Sequence, residues 1–344
     1  MRIDHDVPLA ALTTLRLGGP TPVLLTAESD DDVIDAVHQH HKTGMLIIGG
    51  GSNLVVADDG VTVPVLKVAT TGVDVQMTGD EVSLTVAAGE TWDALVNRAV
   101  DEGWTGIEAL SGIPGLVGAT PIQNVGAYGQ ELSEVCTAVD VIDRESGRAH
   151  TMAAAECDFG YRTSAFKSAQ DRYVVTRVRL RLYRGTHGRP TRYAELAEQL
   201  GIEEGDSAPL PAVREAVLHV RRSKAMVLDD ADHDTWSAGS FFTNPLVSAD
   251  TALPPDAPRW PQPDGRTKTS AAWLIQRAGF TRGFSEPVGR GAVALSSKHV
   301  LALTNRGDGT TAELLSLARL IRDSVKDRFG VELQPEPRIA GTRL

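Results

Sequence analysis

Cysteine is scarce: Cys136 and Cys157 are the only two in 344 residues, and they form no CxxC pair. A disulfide framework is excluded, and the spacing speaks against a thiol redox or zinc site, leaving two reduced, core-type thiols as the expectation. Basic residues are also in deficit, 34 Lys and Arg against 45 Asp and Glu, for a net charge of −11. Such a chain repels a phosphate backbone, so nucleic acid is not expected as a partner. An anionic small molecule would need a pocket that gathers a few Arg or Lys against the overall field. No run approaches the ~18 apolar residues of a membrane span. The opening MRIDHDVPLAALTTLRLGG mixes acids with short apolar pieces. Neither membrane insertion nor a secretory leader is therefore expected, and the cytoplasm is the expected compartment. His38, His40 and His41 lie on a polar helical stretch without a carboxylate partner, so no metal is expected.

What is present is ordinary globular material, 42% hydrophobic and 23% charged, in a chain too long for one core. Short strands such as VLLTA and MLII alternate with helices in the first third; Ser29 caps one helix and Thr91 the next, TWDALVNRAVDEG, which Gly103 ends. The rhythm breaks at residues 111–129, where glycines at 112, 115, 118, 126 and 129 and prolines at 114 and 121 predict a long structured loop. Long loops inside compact domains are usually functional. YVVTRVRLRLY alternates apolar and basic residues like a half-exposed antiparallel strand. A helix AVREAVLHVRRSK is expected to open a last segment, with surface loops at 228–235 and 252–263, an amphipathic helix ending at Gly330, and a final strand VELQPEPRI.

LIIGGGSNLVV places Gly49, Gly50, Gly51, Ser52 and Asn53 straight after a buried strand, where successive backbone N–H groups can converge on an anion such as a pyrophosphate. It is neither GxGxxG nor a P-loop. The loop at 111–129 repeats the ingredient, and two such loops suit a long cofactor with a pyrophosphate better than a mononucleotide. Gln123, Asn124 and Tyr128 add polar edges there. In AGSFFTNP, Ser240 stands beside Phe241 and Phe242, where its partly dehydrated hydroxyl needs a partner or a task.

Five ordered strings, GGGSNLVV, PIQNVGAYG, FGYRTSAFK, AGSFFTNP and PEPRIAG, make the chain resemble the UDP-N-acetylenolpyruvoylglucosamine reductase family of peptidoglycan synthesis. The resemblance runs from about residue 12 to 341. It implies an α+β fold in which a two-domain FAD-binding cradle, like that of vanillyl-alcohol oxidase, precedes a third, α+β substrate-binding domain. The expected segments are 1–70, 71–210 and 211–344. FAD and NADPH are the implied cofactors, UDP-N-acetylenolpyruvoylglucosamine the implied substrate, and a monomer the implied state. Carried over by motif, Arg162, Ser240 and Glu336 become the catalytic residues. Gly49 to Asn53, Gly115, Gly118, Ala119, Gln123, Asn124, Gly126, Ala127, Tyr128 and Arg338 become cofactor contacts. Tyr161, Tyr193, Lys224 and Asn244 become substrate contacts. The TRYAEL segment points to the larger class of the family, in which a tyrosine loop closes over the substrate, and RGTHGRP supplies glycines for its movement.

The chemistry accounts for these residue types. An enolpyruvyl double bond conjugated to a carboxylate accepts hydride at its terminal carbon only if the resulting enolate-like charge is stabilised. Arg162 can bind the carboxylate with two parallel N–H donors, Glu336 can hold that arginine or share a hydrogen bond, and Ser240 can deliver the final proton. Two departures stand out: Thr243 occupies a lysine position of some relatives, for which Arg221 or Arg222 could compensate, and Ala119 and Thr120 replace serines. Two other readings stay open at this level, a different FAD oxidase on the same flavin-binding fold and a non-catalytic nucleotide-binding protein.

Overall fold

Ser29 opens the helix Asp30–His40 with a reciprocal cap: its hydroxyl accepts from the Asp32 N–H at 3.1 Å, and the Asp32 carboxylate accepts from the Ser29 N–H at 3.3 Å. Val33, Ala36 and Val37 on one stripe then bury. The computed structural model describes residues 1–41, 43–285 and 290–344. The chain forms two units, both discontinuous in sequence. The first comprises Met1–Val7, Thr21–Gly50 and Val63–Ser223, the second Pro8–Pro20, Gly51–Thr62 and Lys224–Leu344.

In the first unit, Val65–Val68 pairs in parallel with Pro20–Ala27 on one side and Leu46–Ile48 on the other. A second, antiparallel sheet is centred on Tyr173–Arg184, flanked by Cys136–Asp143 and Glu81–Ala87. Its alternation resolves as expected: Val174, Val178, Leu180 and Leu182 are buried, while Arg179 and Arg181 face Asp140 and Glu81 at the surface. One hydrophobic core joins both sheets to the helix Trp92–Asp101. The buried Trp92 ring satisfies its indole N–H on Leu110 O at 3.1 Å.

Four local expectations are corrected. Thr91 occupies the N-cap position without a side-chain cap; the glycine loop takes the task, since the Trp92 N–H donates to Gly115 O at 3.1 Å. The helix Leu210–Ser223 opens no new segment but belongs to the first unit. There Val213, Ala216 and Val217 are covered by Leu196, Ala197's helix and Ala109. The stretch 228–235 is not all surface loop: Asp234 is buried and accepts from the hydroxyls of Ser296 and Ser297 at 2.8 and 3.0 Å. In VELQPEPRI the regular strand is only Arg338–Ala340, because Pro335 and Pro337 cannot donate to a ladder.

The second unit is built round the helix Thr311–Phe329, capped by Thr310 and Glu313 and stopped by Gly330 at φ +67°. Leu314, Leu317, Ala318, Ile321 and Val325 pack there with Phe241, Phe242, Leu274 and Leu333. Asp58 accepts from the first two amides of that helix, Thr311 and Ala312, at 2.7 and 2.8 Å. The adjoining strand Leu54–Val56 pairs in parallel with Arg338–Ala340. Among the described residues, no helix is long and apolar enough to cross a membrane.

Cys136 and Cys157 are buried in the first core. Burial pushes their thiols up, to about 12 and about 11. The thiolate is the reactive form, so both should resist a maleimide at pH 8 in the folded protein and react stoichiometrically in urea. Rapid labelling of either thiol under native conditions would contradict this burial.

Candidate functional site

The strand Leu46–Ile48 ends in Gly49, Gly50 and Gly51. A Cβ on Gly50 would stand 3.0 Å from the Gly115 Cα, so in the first unit the two glycine loops meet backbone to backbone. Gly51 turns at φ +62°, and a Cβ there would stand 1.8 Å from Leu12 O. Only glycine fits. Gly118 is stitched down as well: its N–H donates to Ala88 O at 2.9 Å, and a Cβ would stand 2.4 Å from the Ala88 Cβ. Bare backbone on both loops fits a cofactor that needs close amide contact with a pyrophosphate, as FAD does. Ser52 lies on the first loop and Ala119 and Gln123 on the second, Ala119 exposed and the other two half-buried. Asn53 has a structural duty in the second unit, because its amide donates to Glu336 O at 3.3 Å and its carbonyl accepts from Arg338 N–H at 3.0 Å.

Asn124, 1% exposed and at φ +46°, donates both amide protons within the protein, to Glu131 Oε2 at 2.8 Å and Gly160 O at 3.2 Å, and accepts from Ser133 N–H at 2.9 Å. It ties the second glycine loop to the turn that carries Tyr161 and Arg162. That turn closes through Gly160 and Thr163, and Ser164 anchors it by donating to Ile122 O at 2.6 Å. Arg162 takes a left-handed backbone, φ +55°, rare for a residue with a Cβ. Its guanidinium donates to Gly126 O at 2.8 Å and lies 5.7 Å from the centre of the Tyr161 ring. A side chain on Gly126 would come within 3.3 Å of the Arg162 Nη1.

Beyond Gly126 and Ala127, Tyr128 sits at φ +49° with its ring edge-on to Tyr193, centroids 5.4 Å apart. Burial pushes the Tyr128 hydroxyl up to about 12, against the neighbouring Arg221. Arg221 itself, half-buried at the end of its helix, has its guanidinium pKa lowered chiefly by desolvation, with the Tyr128 hydroxyl and Asp93 opposing. Asp93 is held below the usual carboxylate range: burial acts against its charge, but Arg214, at 2.7 and 2.9 Å, and the Gly112 N–H, at 2.6 Å, outweigh it. Sequence reasoning named Arg221 only as a substitute charge for Thr243, and missed Asp93 and Arg214. The basic end of the helix, RRSK, was the available signal. Tyr193 is 42% exposed at the start of the helix Ala194–Leu200. The preceding glycine run, expected to be loose, is bonded along its length: Gly185 to Gly103 O, Gly188 to Ala208 O and Thr191 to Asp206 O, at 2.8, 2.9 and 2.8 Å.

In the second unit, Gly239 at φ +72° turns the chain into Ser240. Phe241 and Phe242, each 1% exposed, anchor this segment in the core. On one side the Phe241 N–H donates to Leu301 O at 2.7 Å; on the other Phe241 O accepts from the Glu336 N–H at 2.8 Å. Ser240 and Glu336 are thus brought onto neighbouring backbone segments. The half-buried Ser240 hydroxyl has no hydrogen-bond partner among the described residues. Thr243 continues the pairing through Gln334 O at 3.1 Å, and the Asn244 side chain accepts from Ala271 N–H at 3.0 Å. Lys224 is half-buried where the last stretch of this unit begins.

Comparison with known proteins agrees in both units. Residues 21–153 match an FAD binding domain, and residues 230–340 match the C-terminal domain of UDP-N-acetylenolpyruvoylglucosamine reductase. The reductase of that name from Thermobifida fusca is 52% identical, over 99% of this chain and 98% of its own. That of Saccharopolyspora erythraea is 53% identical over 96% and 93%. The crystal structure of the Thermus caldophilus reductase is similar at 26% identity with a TM-score of 0.70, covering 99% of each chain. With curated relatives above half identity along nearly its whole length, an FAD-binding match and glycine loops that suit the cofactor, the chain belongs to the UDP-N-acetylenolpyruvoylglucosamine reductase family of FAD-dependent oxidoreductases.

Proposed function

We propose that this protein reduces UDP-N-acetylenolpyruvoylglucosamine to UDP-N-acetylmuramate with electrons from NADPH, in the cytoplasm, as a step of peptidoglycan precursor synthesis. The observation that carries this reading is the Ser240 hydroxyl, half-buried and without a hydrogen-bond partner among the described residues, next to the backbone segment of Glu336. A turn serine would use its hydroxyl on the nearby chain. A proton donor must keep its hydroxyl available.

Bound FAD supplies two-electron transfer between NADPH and the terminal carbon of the enolpyruvyl group. Gly49, Gly50 and Gly115 would hold it by backbone contact, with Gly118, whose N–H is taken by Ala88 O, shaping their loop, and Ser52, Gln123 and Arg338 offering polar groups. Arg162 recognises the substrate carboxylate with its paired donors, held in orientation by Gly126 O. As charge accumulates beside that carboxylate, the guanidinium favours the charged state over the starting one, which is where catalysis gains. Ser240 donates the proton to the carbon next to the carboxylate, and Glu336, in its protonated form, supports the developing charge by donating a hydrogen bond. Lys224 suits the diphosphate as a point charge, with Asn244 and Tyr193 around the nucleotide end, while Tyr161 contacts the substrate beside Arg162.

Purified protein should be yellow, with flavin absorbance equimolar to the chain. NADPH consumption should depend on the UDP-sugar; steady consumption supported by oxygen alone would favour an oxidase instead. A colourless protein that cannot be reconstituted with FAD would remove the enzyme reading.

Ser240→Ala separates the two halves of the reaction. Bleaching of the flavin by NADPH should keep nearly its normal rate, because no proton from Ser240 is needed there. Reoxidation by the UDP-sugar should slow by about 10² to 10⁴, the usual worth of general acid catalysis, or roughly 3 to 5 kcal/mol of barrier. Stopped-flow absorbance times both phases. A reoxidation rate within a few-fold of wild type would show that Ser240 is not the donor.

A further inference from the structure

Glu108 is 1% exposed and makes no ion pair among the described residues. Its carboxylate instead collects three neutral donors from three stretches of the first unit. Gly106 N–H donates to Oε2 at 2.6 Å, while the Gln130 amide and the Arg189 N–H donate to Oε1 at 2.8 and 2.7 Å. A buried carboxylate without a cation is costly, and these three hydrogen bonds offset that cost while tying the three stretches to one another.

The segments it fixes flank one aromatic pair. Arg189 precedes Tyr193 by four positions, and the intervening chain is secured at the surface, where Arg189 and Arg192 reach Glu134 at 3.2 and 3.3 Å. Gln130 lies in the short antiparallel pair opposite Ala127, beside Tyr128, and its amide oxygen accepts from Ala109 N–H at 2.8 Å. Tyr128 is the residue whose ring Tyr193 meets edge-on. Both supports of Tyr193 therefore end on the same carboxylate. The approach is close: a Cβ on Gly188 would stand 2.9 Å from Glu108 Oε1, and one on Gly129 would stand 2.9 Å from the Arg192 Cβ.

We propose that Glu108 is a positioning residue for Tyr193: it locks the segment leading to Tyr193 to the turn bearing Tyr128, and so sets where the Tyr193 ring meets the nucleotide end of the substrate. This rests on the reading of Tyr193 as a substrate contact given above. Gly188 then serves close packing on the carboxylate rather than movement.

Three variants and one double variant test it, each as FAD-loaded full-length protein, with KM for the UDP-sugar, its Kd by calorimetry, and the rate of flavin bleaching by NADPH. Tyr193→Ala should raise KM and Kd about 10- to 100-fold, and Glu108→Gln about tenfold, the range expected when a binding group is lost or misplaced by an ångström. Bleaching by NADPH and flavin content should not change in Glu108→Gln. The double variant should be no weaker than Tyr193→Ala alone, because a residue that acts through Tyr193 has nothing further to lose. Gly188→Ala, which crowds the carboxylate from the other side, should shift KM in the same direction, and it decides the matter if Glu108→Gln does not fold. Multiplying effects in the double variant, or an unchanged KM in both Glu108→Gln and Gly188→Ala, would overturn the proposal. An unchanged KM in Tyr193→Ala would overturn the reading beneath it, and the proposal with it.

Discussion

Where Gly50 approaches Gly115, backbone must meet backbone, and no side chain can be accommodated without moving one loop. Much of the first unit's site follows from that constraint. The contact sets the second glycine loop against the strand ends, where Trp92, Val117 and Gly118 bond to or from it. That placement lets Asn124 reach Gly160, which holds the turn of Arg162. Arg162 in turn rests on Gly126, again at a position where a Cβ would crowd the guanidinium. The line from glycine loop to Arg162 is built from backbone geometry, with side chains added only as ties.

The second unit solves a different problem, since its segment of Ser240 is extended chain flanked by two single contacts rather than a strand in a sheet. It is held by rings below and single backbone bonds at each side: Phe241 and Phe242 in the core, Leu301 on one flank, Gln334 and Glu336 on the other. Segments remote in sequence close it, with Leu54–Val56 lying along Arg338–Ala340 and Asp58 capping the helix Thr311–Phe329. Such non-local pairings are slow to form.

Amphipathic periodicity and glycine content made most of this legible in the sequence. The helices at 30, 92 and 311, the alternating strand Tyr173–Arg184 and the long glycine loop all appear where pattern places them. Pattern does not say what covers an apolar stripe, which is why Leu210–Ser223 read as the start of a new segment. It also does not say which polar residue is inward. Asp234, Glu108 and Asn124 look like surface or cofactor groups in the string and are buried and bonded in the fold. The motif strings located Ser240 and Glu336 individually; that one sits beside the other depends on the pairing of Phe241 with Glu336, a contact across nearly a hundred residues that local chemistry cannot signal.

The left-handed backbone of Arg162 has an evolutionary corollary. Holding a residue with a Cβ in that conformation costs on the order of 1–3 kcal/mol, and nearly every replacement keeps the cost while losing the guanidinium. Glycine alone removes the strain entirely, and asparagine or aspartate tolerate it best. A selection that scored heat resistance and ignored turnover would therefore push this position towards glycine. Keeping arginine there requires a task for the guanidinium that outweighs this strain.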